Sequence, residues 1–475
     1  MKTFVFFFVL QIVAGSQNQL NAQSIVVRDI KSFGARGDGR TNDHAAFQKA
    51  AAFFNERGGN GKLKISKGVY IVGNQIIDNG KSEQFKWKGQ DILHFTNVRN
   101  LTIEGAPGTI LRYSNAMKFG SFDPASGHPR KGNGYFVDSR WAASLGHCIF
   151  IDKSQNIVVK DIELDGNSDK IVLGGSYGDV GYQLPHYGVF IQNSKEITIQ
   201  NVNSHHFGLD GICVANIKTG TADNIKILNS KFNYNARQGF SWIGGNGVYA
   251  LSCQFNHSGK GKFYSPPGAG LDIEAEYGPN QNGVFENCEF INATGCCMVA
   301  DGGDSRNMTF NNCTFWSSTT WSIWTTKPRF TFNACKIYGP IVHGYDSPND
   351  QDATKFIKCQ IEDKPYNGQQ PSGAFLIETN DKRRVRFENC TLTARYKKLF
   401  WISAPAGWQP KEKYHLINCK FISLANSYPA GDFIGVLRGV YYKNTIMQHQ
   451  RKYYITQCCD SSNIDGGNNK TITTD

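Results

Sequence analysis

The sequence predicts an all-β fold in which one chain of short strands winds into a parallel β-helix. The first observation is a repeat: a β-like phrase recurs as NLTIEG at 100, NIVVKDIEL at 156, EITIQNVNS at 196, NMTFNNCTF at 307 and RVRFENCTL at 384. The second is alternation inside each phrase, which directs every second side chain to a shared interior. The third is that strand follows strand without intervening helices, which is typical of a solenoid with rungs about 4.8 Å apart.

Residues 1–22 have the layout of a secretory signal peptide. One Lys precedes a short apolar run, and the small residue Ala22 precedes the expected cleavage site. The run is too short to span a bilayer stably, and no later stretch is long and apolar enough to do so. We therefore expect a secreted or periplasmic monomer that does not insert into a membrane.

Residues 23–60 form the predicted N-terminal cap segment. The stretch FGARGDGRTNDHAAFQKAAAFFNERGG at 33–59 combines Gly-rich turns, a helix cap at Thr41 or Asn42 and an Ala/Phe-rich amphipathic helix that runs to about Asn55. The exposed end of a β-helix must be covered. We expect this helix to plug the first rung.

The same opening stretch carries a resemblance to a known superfamily. FGARGDG at 33–39, TND at 41–43, AFQ at 46–48 and KGVYIVG at 67–73 resemble the opening of the pectate-lyase-like right-handed β-helix superfamily. With the rungs, the resemblance covers most of residues 25–424. It implies a right-handed coil and chemistry on a polysaccharide. We predict that the coil spans 61–424 and that 425–475 form a C-terminal cap or tail. Asp38 and Asp43 are turn and cap residues in this motif, which names no substrate.

The positions of the Cys residues favour a column of stacked, free thiols over disulfides. The chain has 13 Cys, an odd number, and one phrase recurs as FENCEF, FNNCTF, FNACKI, FIKCQI, FENCTL and LINCKF. A Cys at one point of a repeat is best interpreted as a small buried residue. We predict that Cys288, Cys313 and Cys335 are stacked and free, and leave Cys458 and Cys459 undecided.

Two carboxylates lie in the apolar run AGLDIEA at 269–275. Alignment on the Gly that opens each strand, with HYGVFIQ at 186, LDGICVA at 209 and RQGFSWI at 237, places Ile273 inward and both Asp272 and Glu274 outward. Residues two apart on a strand are about 6.6 to 7 Å apart. This spacing suits the two catalytic acids of either a retaining or an inverting glycosidase, and also a cation bound by carboxylate oxygen atoms.

The turns that lead into this outward column are dense in acids, bases and aromatic residues. Because they all enter from the same side, we expect them to form one wall of a groove. The predicted catalytic residues are Asp210, Arg237, Asp272, Glu274 and His206. The predicted substrate-binding residues are His186, Tyr187, His205, Gln238, Lys260, Lys262 and Tyr264.

Two chemistries compete at this groove. A lyase must neutralise the carboxylate of a uronate, remove the C5 proton and protonate the leaving oxygen. Arg237, His205 or His206, Lys260 and Tyr264 are of the required types, and Asp210, Asp272 and Glu274 form a predicted calcium site. A glycoside hydrolase instead needs two acids, one of raised pKa, and the same three carboxylates supply them.

A second, partial resemblance bears on this choice. GLDGI at 208–212 resembles the Asn-Thr-Asp-Gly strand opening of polygalacturonases, with Asp210 matching the catalytic Asp of that family. The Asp-Asp pair of the next rung is replaced here by ARQGFSW, and Gly-His-Gly is missing, which counts against the polygalacturonase mechanism.

The formal net charge of +12 favours an acidic polysaccharide as partner. Because the protein is expected to be exported, nucleic acid is not the expected partner. We therefore predict a polysaccharide lyase, keep a glycoside hydrolase as the first alternative, and keep a non-catalytic glycan-binding β-helix as the second.

Overall fold

Short parallel strands form three sheets that wind around one apolar interior. The structure, a computed structural model, describes residues 25–77, 86–123, 125–130, 142–175, 184–217, 222–342, 350–380, 385–403, 414–424, 434–449 and 462–474. Strands of successive rungs pair in parallel, as Ile149–Asp152 does with Val189–Gln192. The predicted parallel β-helix is confirmed.

Each sheet takes one strand from each turn of the coil. The first sheet contains Leu93–Thr96, Ile149–Asp152, Val189–Gln192, Ile212–Ala215, Phe240–Leu251, Leu271–Ile273, Met298–Ala300, Ile323–Thr325, Ile341–Val342, Phe375–Asn380, Lys398–Ser403 and Gly435–Leu437. The second contains Val26–Asp29, Gly59–Ile65, Arg99–Gly105, Gln155–Asp165, Lys195–His205, Ile225–Leu228, Asn280–Glu286, Ser305–Asn311, Phe330–Asn333, Thr354–Ile357, Val385–Glu388, Tyr414–Ile417, Val440–Lys443 and Ile464–Asp465. The third contains Asp38–Asn42, Gly68–Val72, Thr109–Tyr113, Glu289–Ile291, Thr314–Trp316, Lys336–Tyr338, Gln360–Glu362, Thr391–Ala394, Lys420–Ser423, Ile446–His449 and Lys470–Thr473.

Three long strands turn a corner and so belong to two sheets. Gln155–Asp165 pairs with Arg99–Gly105 in the second sheet and with Thr109–Tyr113 in the third. Lys195–His205 follows it residue by residue, and Phe240–Leu251 joins the first sheet to the second.

Asparagine occupies many of the corners between strands. Asn60, Asn100 and Asn156 have φ values of 48°, 54° and 56°, the left-handed region that Asn tolerates. Their side chains also bond from rung to rung, with Nδ2 of Asn100 donating to Asn60 over 2.9 Å and Nδ2 of Asn156 donating to Asn100 over 2.7 Å. The corners are therefore fixed by side-chain ladders as well as by backbone pairing.

Inward-facing residues stack in columns along the axis. Phe310 and Phe332 lie nearly parallel with their ring centroids 4.9 Å apart, and Phe332 and Phe356 follow at 4.8 Å. Cys288, Cys313 and Cys335 form a neighbouring column of buried, free thiols, which confirms the predicted stack. Cys458 and Cys459 lie outside the described residues.

The N-terminal helix runs from His44 to Glu56, close to the predicted bounds. Phe47 and Phe54 are buried on its inner face, which covers the first rungs. Asn42 accepts a hydrogen bond from the backbone N–H of His44, whereas the carboxylate of Asp43 accepts from Arg36 and Gly37 and so holds the preceding turn.

The ends of the coil differ from the predicted bounds. Val26–Asp29 already pairs with Gly59–Ile65, within the segment expected to be only a cap. Lys470–Thr473 still pairs with Ile446–His449, so the coil continues past residue 424 through a segment predicted as a cap or tail. The phrases of these last rungs lack the Cys that marked the others. The predicted signal peptide lies outside the described residues, and no helix among those described is long and apolar enough to cross a membrane.

Among the described residues, a small additional sheet and three 3-10 turns complete the secondary structure. The small sheet contains Gln75–Ile77, Trp87–Gly89, Lys118–Ser121, Ala142–Ala143 and Val172–Gly174, and the 3-10 turns are Ile30–Phe33, Ser168–Lys170 and Asp350–Asp352.

Candidate active site

One outward-facing column of the first sheet carries Asp272. Leu271 and Ile273 lie in the apolar core, so Asp272 faces away from it, as the alternation predicts. We call the residues that pair in register with Asp272 the outer column. Its members are His94, Phe150, Phe190, Cys213, Ser241, Asp272, Val299, Trp324, Val342, Glu378, Trp401 and Val436.

Although it faces outward, Asp272 is buried, with 1 % of its surface exposed. The Nε2 group of Gln238 donates to its Oδ2 atom over 2.5 Å, and Oε1 of Gln238 accepts from the backbone N–H of Ala269 over 2.7 Å. The loops that lead into the strands therefore cover this part of the sheet. The expectation of an open acid pair is wrong for Asp272, because alternation predicts the side of a strand but not what lies over it.

Arg237 and Asp210 are also buried and lie together. Nη1 of Arg237 is 3.9 Å from Oδ2 of Asp210, and both side chains are almost fully covered. Oδ1 of Asp210 accepts from the backbone N–H of Gln238 over 3.1 Å. Buried charges require such pairing. The prediction that Arg237, Asp210 and Gln238 line an open groove is therefore wrong, although the structure does bring all three beside Asp272.

Three acidic residues, which we call the acidic mouth, lie just after two neighbouring strands of the first sheet. They are Glu274, Glu276 and Asp301; the first is half-buried and the other two are exposed. Burial, reinforced by the charge of Glu276 and a side-chain hydrogen bond with it, raises the pKa of Glu274 to about 7. Since two carboxyl groups can share a hydrogen bond only if one is protonated, Glu274 holds a proton near neutral pH.

Asp272 lies behind the acidic mouth, where its surroundings favour the neutral form. Burial raises the pKa of its carboxyl well above the usual range, Glu274 raises it further, and the nearby Arg237 opposes the shift. Its Oδ1 atom is buried and has no hydrogen-bond partner among the described residues. Protonation of one carboxyl thus influences the other, because the two interact directly.

His186 and Tyr187, both predicted to bind substrate, are buried instead. The ring of His186 packs between Tyr113 and Phe207, and its Nδ1 atom accepts from the backbone N–H of Gly208 over 2.8 Å. Burial lowers the pKa of this imidazole to about 3, so it is neutral. Tyr187 is 6 % exposed and stacks on His147. Both predictions of exposure are wrong, because His186 turns into the core and Tyr187 is covered by Leu209 and Cys213 on the outer face of the first sheet.

The remaining predicted residues lie at the other end of the same loops, where the third sheet ends. His205 pairs with Asp165 on the last residues of their strands, and His206 follows directly. Tyr234 stacks on His206 with a centroid distance of 5.7 Å and on His257 at 4.6 Å. The predicted single wall is thus divided into one group around Asp272 and another around His205.

Lys260, Lys262 and Tyr264 belong to the loop that follows His257. Nζ of Lys262 donates to the backbone oxygens of Asp169 and Ile171, each at 3.1 Å. Tyr264 is exposed and its hydroxyl donates to the oxygen of Pro267 over 3.3 Å. Lys260 is half-buried. These side chains therefore lie on the His205 side of the molecule.

Sequence reasoning missed Glu276, Asp301, Tyr277 and Trp324. Glu276 lies two residues beyond Glu274, and the register of Asp272 with Val299 brings Asp301 beside Glu274. The hydroxyl of exposed Tyr277 accepts from Nε2 of Gln192 over 3.0 Å, and Trp324 lies two rungs from Asp272 in the outer column. The Gly alignment does not extend to this rung, because Cys297 stands where Gly270 opens the preceding strand, so Asp301 is found only from the strand register.

The predicted calcium site fits these residues in part. Calcium takes carboxylate oxygens, and Asp272, Glu274 and Asp301 present several of them near one another. Asp210 fits less well, because one oxygen accepts from Gln238 and the other faces Arg237. A cation would have to compete with the protons that Asp272 and Glu274 retain, so its binding should weaken as the pH falls.

Comparison with known proteins supports the fold. A family model described as the right-handed beta helix region matches residues 147–337. No curated protein matches the sequence significantly.

The chain is also similar to solved structures at low sequence identity. The N-terminal fragment of bacteriophage Phi29 gene product 12 is 14% identical, with 94% of this chain and 70% of that chain covered and a TM-score of 0.51. The A-module of Azotobacter vinelandii mannuronan C-5 epimerase AlgE4 is 16% identical, with coverage of 84% and 97% and a TM-score of 0.44. At such identities only the fold is comparable. With the family match and the parallel rungs, this chain is a right-handed parallel β-helix, the architecture of the pectate-lyase-like superfamily.

Proposed function

We propose that the protein is a carbohydrate-active enzyme that cleaves a polysaccharide at the acidic mouth, with Glu274 as general acid. The observation that carries this proposal is the environment of Glu274: it is half-buried, hydrogen-bonded to Glu276, and has a pKa of about 7. A carboxyl group of raised pKa beside further carboxyl groups is the arrangement by which glycosidases separate acid and base roles.

The roles follow from exposure. Glu274 can protonate the leaving oxygen because it carries the proton and reaches the surface. Glu276 and Asp301 are exposed, and either can serve as the base or nucleophile. Asp272 is almost fully covered and so cannot touch substrate; it is a positioning residue behind Glu274, whose pKa is raised by its own burial and by Glu276.

Aromatic side chains on both sides of the mouth suit a sugar chain that runs along the coil. Tyr277 precedes the mouth, and Trp324 lies about 10 Å beyond Asp272 at two rungs of about 4.8 Å each. Amphipathic rings of this kind present an apolar face and a polar edge, which matches a sugar. A glycan in this position would follow the outer column.

Local charge modifies the inference from net charge. Exposed charges act over a Debye length of about 8 Å at physiological ionic strength, so the acidic mouth outweighs a surplus spread over the whole chain. Arg237, whose positive charge acts on Asp272 and Glu274, is buried. Hydrolysis of a neutral or weakly acidic glycan therefore suits the site better than direct binding of a uronate, and the proposal places the hydrolase before the lyase.

A calcium-dependent lyase is the second candidate, favoured by the unsatisfied Oδ1 atom of buried Asp272 beside Glu274. A cation held by these acids would reverse the local charge and bind the carboxylate of a uronate. The positive net charge would then attract an acidic chain to the surface, and export of the mature protein, which the N-terminal sequence predicts, would bring it to its substrate.

The test incubates the mature protein with neutral, pectic, alginate and glycosaminoglycan chains while reducing ends and ultraviolet absorbance of unsaturated uronates are followed. Reducing ends without absorbance, unaffected by chelator, are expected for the hydrolase. Absorbance that chelator abolishes would establish the lyase. Glu274→Gln should be inactive, whereas Glu378→Gln, an acid four rungs along the same outer column, should be active. Binding of a glycan without either product would leave the non-catalytic alternative.

A further inference from the structure

Three potential metal ligands converge where the third sheet ends. Nδ1 of His205 lies 2.7 Å from Nδ1 of His206 and 3.8 Å from Oδ1 of Asp165. One ligand atom from each residue lies within 4.8 Å of the others. The side chains of His205 and Asp165 are 17% and 12% exposed, so the cluster is sheltered yet within reach of solvent.

The convergence of His205 and His206 depends on a backbone feature. Successive residues of a strand point to opposite faces and would keep two adjacent imidazoles apart. His206 has a φ of 57°, which ends the strand and turns the chain, so that both Nδ1 atoms face each other. Tyr234 then stacks on the ring of His206 and limits its rotation.

Neighbouring groups orient these side chains as they do around metal ions. Nε2 of His205 faces Oε1 of Glu163 at 3.4 Å, which favours the proton on Nε2 and leaves a lone pair on Nδ1. Arg112 Nε donates to Oδ2 of Asp165 over 2.7 Å, and the backbone N–H of Asn167 donates to Oδ1 over 2.8 Å. Asp165 is thus fixed with a lone pair of Oδ1 still available.

The distances suit a tetrahedral ion. Ligand atoms about 2.0 to 2.1 Å from a zinc ion lie about 3.3 Å from each other, and the observed 2.7 and 3.8 Å fall on either side of that value. From this geometry we propose that Asp165, His205 and His206 bind a divalent transition-metal ion of the zinc class. Three protein ligands leave a fourth position for water or a ligand atom.

The proposed ion differs from the calcium considered at the acidic mouth. Calcium takes oxygen ligands, whereas imidazole nitrogen suits zinc, copper and nickel. The site lies at the opposite end of the loops from Asp272. Its existence therefore does not depend on the function proposed for the acidic mouth.

Metal binding itself provides the test. Untagged, metal-free protein is titrated with Co²⁺, followed by its visible absorption, and then with Zn²⁺ in competition. One Co²⁺ per chain with the spectrum of a tetrahedral N/O site, displaced by Zn²⁺, is expected. His206→Asn keeps the left-handed corner, which Asn292 adopts with a φ of 56° in a later rung, but removes the ligand. It should weaken binding by more than the roughly 10- to 100-fold that loss of an outer-shell partner costs.

His257→Asn is the matched control, because His257 occupies the same corner two rungs on, has a φ of 61° and lies outside the three ligands. It should bind Co²⁺ like the parent. Asp165→Asn, which keeps the side-chain shape, provides the decisive comparison should His206→Asn not fold. Absence of stoichiometric binding by the parent protein, unchanged affinity in the folded ligand variants, or an equal loss in His257→Asn would overturn the proposal.

Discussion

The side-chain amide of Gln238 donates a hydrogen bond to Oδ2 of Asp272 over 2.5 Å and so joins two successive rungs beneath the loops. The orientation of this amide is fixed, because its oxygen accepts from the backbone N–H of Ala269. The backbone N–H of the same residue donates to Asp210. Gln238 therefore organises the two buried carboxyls behind the acidic mouth.

Gln238→Ala should destabilise the protein by about 1 to 3 kcal/mol, because Asp272 and the N–H of Ala269 would be left buried without partners. The measurement is denaturant unfolding followed by circular dichroism. Gln192→Ala is the control, since the side-chain amide of Gln192 donates to the hydroxyl of exposed Tyr277, and its loss should shift stability by no more than about 0.5 kcal/mol. Equal changes in the free energy of unfolding for both variants would show that the buried hydrogen bonds of Gln238 contribute no more to stability than an exposed one.

Stability should depend on pH through Glu274. Its pKa is about 7 in the folded protein against 4.5 for the ordinary group, so the folded state binds more protons between these values. Stability therefore falls as the pH rises from about 4.5 to about 7 and is lowest above that range. Melting temperatures across this window should fall less steeply for Glu274→Gln, which mimics the protonated form. Parallel profiles for the two proteins would contradict the raised pKa.

The thiol column permits a packing test at Cys335. Its Sγ atom lies 3.3 Å from the oxygen of Phe310 and 3.5 Å from that of Asn333. Ser230 precedes the third sheet in the same way and bonds to the oxygen of Leu228 over 2.8 Å. Cys335→Ser should thus cost no more than about 1.5 kcal/mol, since the hydroxyl keeps a carbonyl partner.

Cys335→Leu should cost more, about 1 to 3 kcal/mol, because the column has no space for extra methylene groups. Denaturant unfolding compares both variants with the parent protein. A larger loss for Ser than for Leu would mean that the polarity of this position matters more than its volume. Peptide mapping after thiol labelling under denaturing conditions should find Cys288, Cys313 and Cys335 reduced.

Local patterns predicted the coil, because each rung repeats the same alternation and the same Asn corner. The outward parity of Asp272 follows from that alternation, and its partner Ser241 follows from the Gly alignment. Burial could not be predicted in this way. Whether Arg237 reaches solvent depends on loops that lie over the sheet, and the loop sequences carry no periodicity that would place them.

The same reason explains the divided groove. His205 lies where the third sheet ends, and Asp272 lies in the first sheet. Loops lead from the third sheet to the first in each rung, and the sequence order alone does not say at which end of these loops a residue lies. His206 needed its φ of 57°, a feature that the sequence does not reveal for His, to meet His205. Asp301 was missed because Cys297 replaces the Gly that opens the strands of the preceding rungs, and only the strand register brings Asp301 beside Glu274.

The central claim is that Glu274 donates a proton during glycan cleavage, and the pH dependence of kcat/KM for the parent protein and for Glu274→Gln tests it most directly. The substrate is the polysaccharide that gives reducing ends in the panel. The account predicts a rate that falls above about pH 7, where Glu274 loses its proton, and a loss of at least about 100-fold in the variant with an unchanged melting temperature at pH 5. Full activity of Glu274→Gln, or a parent rate that stays constant from pH 6 to 9, would contradict it.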